Sequence, residues 1–77
     1  MASTLLGLGD RAFVEEDYTE ALKHYTDALR ADPSNAQVLE SRSHCHIKQQ
    51  NYVEAAEDAS KAIELDPAMA KAYLRKG

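Results

Sequence analysis

The sequence carries one cysteine, no tryptophan, two prolines and three glycines in 77 residues, and its only aromatic side chains are four tyrosines and one phenylalanine. The lone Cys45 excludes an internal disulfide and suits a reducing compartment. No apolar run approaches the ~20 residues a membrane span requires. The opening Met1-Ala2-Ser3-Thr4-Leu5-Leu6 has neither the charged start nor the long apolar stretch of a signal peptide, so the protein is expected in the cytosol or nucleus. Cations are outnumbered, with 9 Lys and Arg against 13 Asp and Glu and a net charge of -4. That balance argues against nucleic acid as the main partner, because duplex binding needs clustered cations to displace phosphate counterions. A 44% hydrophobic, 29% charged composition excludes a disordered chain. A chain of this size buries only about 60% of its unfolded surface, so stability is expected to be marginal.

What is present is a repeat with a period of about 34 residues. Leu5, Tyr18, Glu20, Ala21, Ala28, Asp32 and Pro33 recur one period later as Leu39, Tyr52, Glu54, Ala55, Ala62, Asp66 and Pro67. Looser matches keep the phase: Leu29 is answered by Ile63, and Gly9 by Ser43 and then Gly77. The expected units are one repeat over about 2–33, a second over about 36–67, and a partial third over 68–77. A unit this short cannot bury its apolar face alone, so neighbours must stack around a shared core.

Apolar spacing predicts a first helix from about Ser3 or Thr4 to Glu15, on Leu5, Leu8, Ala12 and Phe13. Each helical glycine costs roughly 1 kcal/mol relative to alanine. Gly9 is explained by close approach of another helix, since the repeat keeps a small residue there; Gly7 has no such explanation. Asp17 followed by Glu20 reads as a capping box for the second helix, and Asn51 with Glu54 repeats it. Ser34 with Gln37 offers a similar pair for a third helix reaching about Lys48 or Gln49. Ala21, Leu22, Tyr25, Ala28 and Leu29 share one face of the second helix. A fourth helix should run from Tyr52 to Leu65. Asp32-Pro33 and Asp66-Pro67 mark the seams, because proline lacks the helix donor and disfavours helical geometry in the residue before it. Ala68 to Gly77 begins a fifth helix with none after it.

Two helices per period, with proline at the seam, resemble the tetratricopeptide repeat family. Its signature W-x2-L-G-x2-Y…A-x3-F…P is met by Leu5-x2-Leu8-Gly9 and Ala21-x3-Tyr25…Pro33. The second copy keeps Leu39, Ala55, Ala59, Ala62 and Pro67, but has Arg42-Ser43 where Leu-Gly is usual, an atypical packing point. The resemblance implies an all-α fold of helical hairpins stacked as a right-handed superhelix, with two full repeats and the start of a third. Within this family, the runs Ala12 to Tyr18, His46 to Lys48, and Lys61 to Pro67 leading into Lys71 to Gly77 are similar to the amino-terminal domain of co-chaperones of the suppressor of G-two allele of Skp family, plant forms in particular. That likeness implies a protein-interaction adaptor in ubiquitin-ligase assembly and in chaperone-assisted maturation of immune receptors. Its partner would be a Skp-type ligase subunit or a chaperone-linked client. In those proteins, binding to the large EEVD-tailed chaperone is assigned to a different domain.

The resemblance also implies a concave, peptide-binding groove lined by the first helix of each pair, with Leu6, Asp10, Phe13, Glu40, Ser41, His44, Lys48, Lys71 and Arg75 facing it. In EEVD-binding members, two lysines, one arginine and two asparagines grip terminal carboxylates through charge-assisted bonds. Lys71 and Arg75 fall on two of the cationic positions. Leu6 replaces a lysine, Asp10 and Ser41 replace asparagines, and an acid at Asp10 would repel the carboxylate being bound. Residues 1–40 hold eight acids against three bases and residues 41–77 five against six, with Lys71, Arg75 and Lys76 close together. That basic end suits either an acidic protein segment or a solvated helix terminus.

His44-Cys45-His46 has metal-binding residue types at the wrong spacing, because consecutive helix positions point about 100° apart. No metal or other cofactor is expected. Nor is an enzyme: Gly7-Leu8-Gly9 falls inside an expected helix with no strand before it, and Cys45 with its neighbouring histidines has adjacent helical positions and no third orienting residue. Stopping inside a third unit should leave the surface beside Ala59, Ile63, Ala70, Tyr73 and Leu74 without a covering helix, so the chain is expected to self-associate there as a homo-oligomer.

Overall fold

A computed structural model describes residues 2–68 and, from Thr4 onward, their side chains. Four helices follow one another: α1 (Ala2–Val14), α2 (Tyr18–Ala31), α3 (Ala36–Lys48) and α4 (Tyr52–Leu65). The expected fifth helix lies outside the described residues. Helix α1 packs along α2 and α3 along α4, while α3 also lies on α2 and only brushes α1. The result is two helical hairpins stacked through their inner helices.

Both hairpins turn by the same device. Glu16 and Gln50, one repeat period apart, adopt left-handed φ values of 63° and 64°. The Asp17 N–H donates to the Ala12 carbonyl at 2.8 Å and the Glu16 N–H to that of Phe13 at 3.0 Å; Asn51 and Gln50 do the same with His46 and Ile47 at 2.8 and 3.0 Å. These paired bonds close each helix as a Schellman motif, at a position glycine usually takes. With a Cβ present the left-handed conformation costs about 1–2 kcal/mol.

That closure alters the expected caps. Asp17 Oδ1 accepts from the Glu20 N–H at 3.3 Å. The return arm of the box is missing: the Asp17 N–H is already committed to Ala12, and Glu20 turns toward His24 Nε2 at 3.4 Å. The Asn51 side chain makes no cap bond and instead meets His46 Nδ1 at 3.5 Å. Helix α3 is capped by Asn35, whose Oδ1 accepts from Val38 N–H at 3.2 Å, and not by Ser34. The Asp32 carbonyl holds the Asn35 N–H, and this bond delivers Asn35 to the helix entry.

The core sits between the hairpins. Ala12, Ala21, Tyr25, Ala28, Val38 and Cys45 form its buried cluster, with Leu5, Leu6, Phe13, Tyr18, Leu22 and Leu29 packed around it. Burying a side chain such as Val38 contributes about 1.5–3 kcal/mol. Gly9 has its reason here: a Cβ would overlap the ring of Tyr25. At Gly7 the space is open. In the second hairpin the same pair of positions holds Ser43 and Ala59, so the larger residue in place of glycine is offset by alanine in place of tyrosine. The buried Ser43 hydroxyl donates to the Ala55 carbonyl at 2.9 Å, which satisfies it without solvent.

Candidate functional site

Helix α1 presents Asp10 on its exposed side, one residue after the glycine that lets Tyr25 approach. The buried Tyr25 therefore reaches past Gly9, and its hydroxyl donates to Asp10 Oδ1 at 2.5 Å. Burial pushes the phenol above its ordinary range; donation to Asp10, the Asp10 charge and nearby Cys45 push the same way, while a bond from the Ser41 side chain opposes them. Two positions that the sequence assigned to the groove, Asp10 on α1 and Ser41 on α3, are thus joined through one tyrosine from α2.

The remaining groove positions divide. Leu6 and Phe13 are half-buried against the core, and Phe13 meets Tyr18 edge-on with ring centroids 5.4 Å apart. Their apolar surface is largely spent on packing. Glu40 and His44 are half-buried on α3 and Lys48 is exposed at its end. Lys71 and Arg75 lie outside the described residues. Of the residues assigned to self-association, Ala59 and Ile63 are half-buried on α4, and Ala70, Tyr73 and Leu74 also lie outside the described part.

Sequence reasoning missed a charged cluster between α3 and α4. Arg42 grips Asp58 with two bonds, Nε to Oδ2 at 2.7 Å and Nη2 to Oδ1 at 2.8 Å, and its Nη1 reaches Thr26 Oγ1 of α2 at 3.5 Å. His46 Nε2 stands 3.7 Å from the same carboxylate. Donation to Asp58 raises the guanidinium's already high pKa, outweighing the opposing effect of its burial. Two departures from the repeat carried the signal: Leu8 becomes Arg42 and His24 becomes Asp58, each one period on, with opposite charges arriving together. Leu8 is 44% exposed, whereas Arg42 is pressed against α2.

The His44-Cys45-His46 run is pulled apart by the fold. The Cys45 thiol is buried and donates to the Tyr18 carbonyl at 3.2 Å, with desolvation raising its pKa, while His46 lies between Asn51 and Asp58. Among the described residues, no group of three or more His, Cys, Asp or Glu side chains could hold a metal ion. No described helix is long and apolar enough to cross a membrane.

The second hairpin carries an open apolar notch of about 270 Å³, lined by Ser43, Ile47, Tyr52, Ala55, Ala56 and Ala59. Ile47 is 47% and Tyr52 62% exposed. Their counterparts in the first hairpin, Phe13 and Tyr18, are half-buried beside α3.

Comparison with known proteins agrees with this architecture. A model of the tetratricopeptide repeat family matches residues 6–70. A rice protein, "Protein SGT1 homolog" (Oryza sativa subsp. japonica), is 51% identical over 76 residues, covering 99% of this chain and 21% of that protein. The wheat "Hsp70-Hsp90 organizing protein" (Triticum aestivum) is 44% identical over 69 residues, covering 90% of this chain and 12% of its own length. A rice "U-box domain-containing protein 70" is 43% identical over 68 residues, covering 88% of this chain and 8% of that protein. The chain thus spans about a fifth or less of these relatives. Hairpins of matched length, a glycine opposite a tyrosine, a proline at each seam and a family match over most of the chain make one conclusion: this chain belongs to the tetratricopeptide repeat family, whose domains serve as protein-interaction modules.

Proposed function

We propose that this domain is a docking module of a co-chaperone that also serves ubiquitin-ligase assembly, works by surface contact without catalysis, and takes a protein partner other than an EEVD tail. A Skp-type ligase subunit or a chaperone-linked client is the partner this reading favours. The observation that carries it is Asp10. By the family resemblance its position corresponds to an asparagine of the clamp, and the Tyr25 hydroxyl donates to its carboxylate. A ligand carboxylate at about 4 Å would meet roughly 4 kcal/mol of repulsion at an effective dielectric near 20. That exceeds the ~1.5–3 kcal/mol a single bond to a charged group contributes. Likeness to the rice "Protein SGT1 homolog" supports the adaptor reading.

A carboxylate clamp for EEVD-tailed chaperones is the second reading. The 44% identity to a protein named for organising Hsp70 and Hsp90 favours it, as does the correspondence in sequence of Lys71 and Arg75 to two cationic positions of the family's clamp. Titration calorimetry separates the two. An EEVD-ended peptide should bind no tighter than about millimolar, near -4 kcal/mol. Low-micromolar binding that Lys71→Ala abolishes would refute the first reading and establish the second. The triple change Leu6→Lys, Asp10→Asn and Ser41→Asn should build affinity for the peptide, since each supplies a donor for the carboxylates. A purified Skp-type subunit should be retained by the immobilised domain, and its failure to bind would remove the ligase half of the proposal.

A further inference from the structure

The hydroxyl of Tyr25 is more than the packing against Gly9 requires. The repeat signature has phenylalanine at this place, and the second hairpin fills it with Ala59. Tyr25 spends the hydroxyl on Asp10, donating to Oδ1 at 2.5 Å, while its oxygen takes a bond from the Ser41 side chain. A buried hydroxyl needs an acceptor, but a neutral asparagine oxygen would serve as well, so burial explains the bond and not the charge. The two hydroxyls donate in one direction, from Ser41 on α3 through Tyr25 on α2 to Asp10 on α1, and the carboxylate at the end of the chain can only accept. A carboxylate has about four lone-pair sites, of which Tyr25 fills one. Asp10 is exposed, and among the described residues no ion pair reaches it. Asp58, the other acid fixed by a side chain from a neighbouring helix, has Arg42 on both its oxygens. Glu40, half-buried on α3 beside Ser41, likewise has no ion pair among the described residues.

We propose that Asp10 receives a lysine or arginine side chain from a protein segment lying along α1, with Tyr25 as the residue that positions the carboxylate for it. The proposal rests on the reading of the domain as a docking module that turns away EEVD tails, and names the chemistry accepted in their place. An ammonium or guanidinium brings the donors and the counter-charge that Asp10 lacks among the described residues, and charge-assisted bonds of this kind are roughly twice as strong as neutral ones. Leu6 and Phe13 stand four residues before and three after Asp10, on the same face of α1, and both are half-buried. What remains exposed of them suits the methylene stem of a long cationic side chain. A metal ion is the poorer fit, because among the described residues no group of three or more His, Cys, Asp or Glu side chains could hold one. Glu40 adds charge of the same sign on the neighbouring inner helix, which favours a basic segment over a neutral one.

The test is selection from a random peptide library, blocked at both ends so that no terminal carboxylate is present, on the immobilised 77-residue chain. The expected result is enrichment of lysine or arginine at one position, with binding of the best peptide moving the carboxylate carbon resonance of Asp10. Replacing that cation by citrulline or glutamine should weaken the peptide about tenfold or more. Asp10→Asn, which keeps an acceptor for Tyr25 and removes the charge, should cost as much, and the two changes together should cost little more than either alone. Tyr25→Phe, which installs the signature residue, should weaken the peptide by about two- to tenfold through loss of the anchoring bond. Glu57→Gln removes an exposed acid on α4 and should change little. Enriched peptides without a basic residue, basic peptides that respond equally to Asp10→Asn and Glu57→Gln, or a library that yields no binder would each overturn the inference. So would basic peptides that bind only after Lys71→Ala or Arg75→Ala, which would give Asp10 to a cation of this chain. The substitution in the peptide decides the matter even if a variant fails to fold. Retention of a purified Skp-type subunit is read separately, so failure here with the subunit still retained leaves the docking reading standing.

Discussion

Replacing Arg42 with leucine, the residue its counterpart carries at position 8, isolates the buried charge pair. The substitution strips both strong bonds from Asp58, whose side chain is 9% exposed, and leaves only His46 at 3.7 Å. Orphaning one member of a buried pair costs about 3–5 kcal/mol. The lower end applies here, because the Arg42 side chain is 24% exposed and water can enter to solvate part of what it leaves. A loss of about 3 kcal/mol is severe for a domain of this length, whose whole stability is on the order of 4–12 kcal/mol. It corresponds to a fall in Tm of roughly 12–24 °C. Urea denaturation followed by far-ultraviolet circular dichroism reads it directly. The companion variant Arg42→Leu with Asp58→Ala removes both charges and should recover to within about 1 kcal/mol of the parent, since the pair's attraction is largely offset by its desolvation. A single variant within about 0.5 kcal/mol of the parent, or a double as damaged as the single, would refute the reasoning.

The two glycines of α1 should respond with opposite sign: Gly9→Ala forces the Tyr25 ring to move and should cost about 1–3 kcal/mol, whereas Gly7→Ala meets open space and should add about 1 kcal/mol of helix propensity. Thermal melts giving the reverse order would remove the packing account of Gly9. Alkaline pH should destabilise the fold, because Tyr25 and Cys45 both have pKa values raised in the native state. Their contributions are whole below the unfolded values and are lost above about pH 8.5 for the thiol and about pH 10 for the phenol, at up to ~1.4 kcal/mol per pH unit for each group. Tyr25→Phe should abolish the phenol part of that slope, and a flat stability profile through this range in the parent would contradict both assignments.

The helices were legible because their signals are periodic. An echo at the repeat period, alanines on one face and proline after aspartate together place α2 and α4, and the anticipated span of α4, Tyr52 to Leu65, is the one observed. Caps were read less well, since a capping box assumes that the first backbone N–H is free. Here the Schellman closure of the preceding helix has already claimed it, a competition between neighbouring turns that no single motif displays. The Arg42 to Asp58 pair escaped for a different reason. Charge in an amphipathic pattern reads as solvent exposure, and burial of an ion pair becomes visible only when two substitutions in different helices are considered as one event. The same holds at Asp10, whose significance depends on Tyr25 reaching it across a glycine.

That coupling bears on how such a chain can be rebuilt. The two hairpins look like copies, yet their contents are not exchangeable residue by residue. Transplanting tyrosine from position 25 to 59 would drive a ring into Ser43, and transplanting arginine from 42 to 8 would leave a cation without its aspartate. Heredity in this molecule therefore runs in whole hairpins: a crossover at the Asp32-Pro33 seam preserves every matched pair inside its hairpin, whereas one placed in the turn between α1 and α2 divides Gly9 from Tyr25. A consensus sequence averaged over the two repeats would fail in the same manner, because the mean of two compatible solutions is not itself a solution.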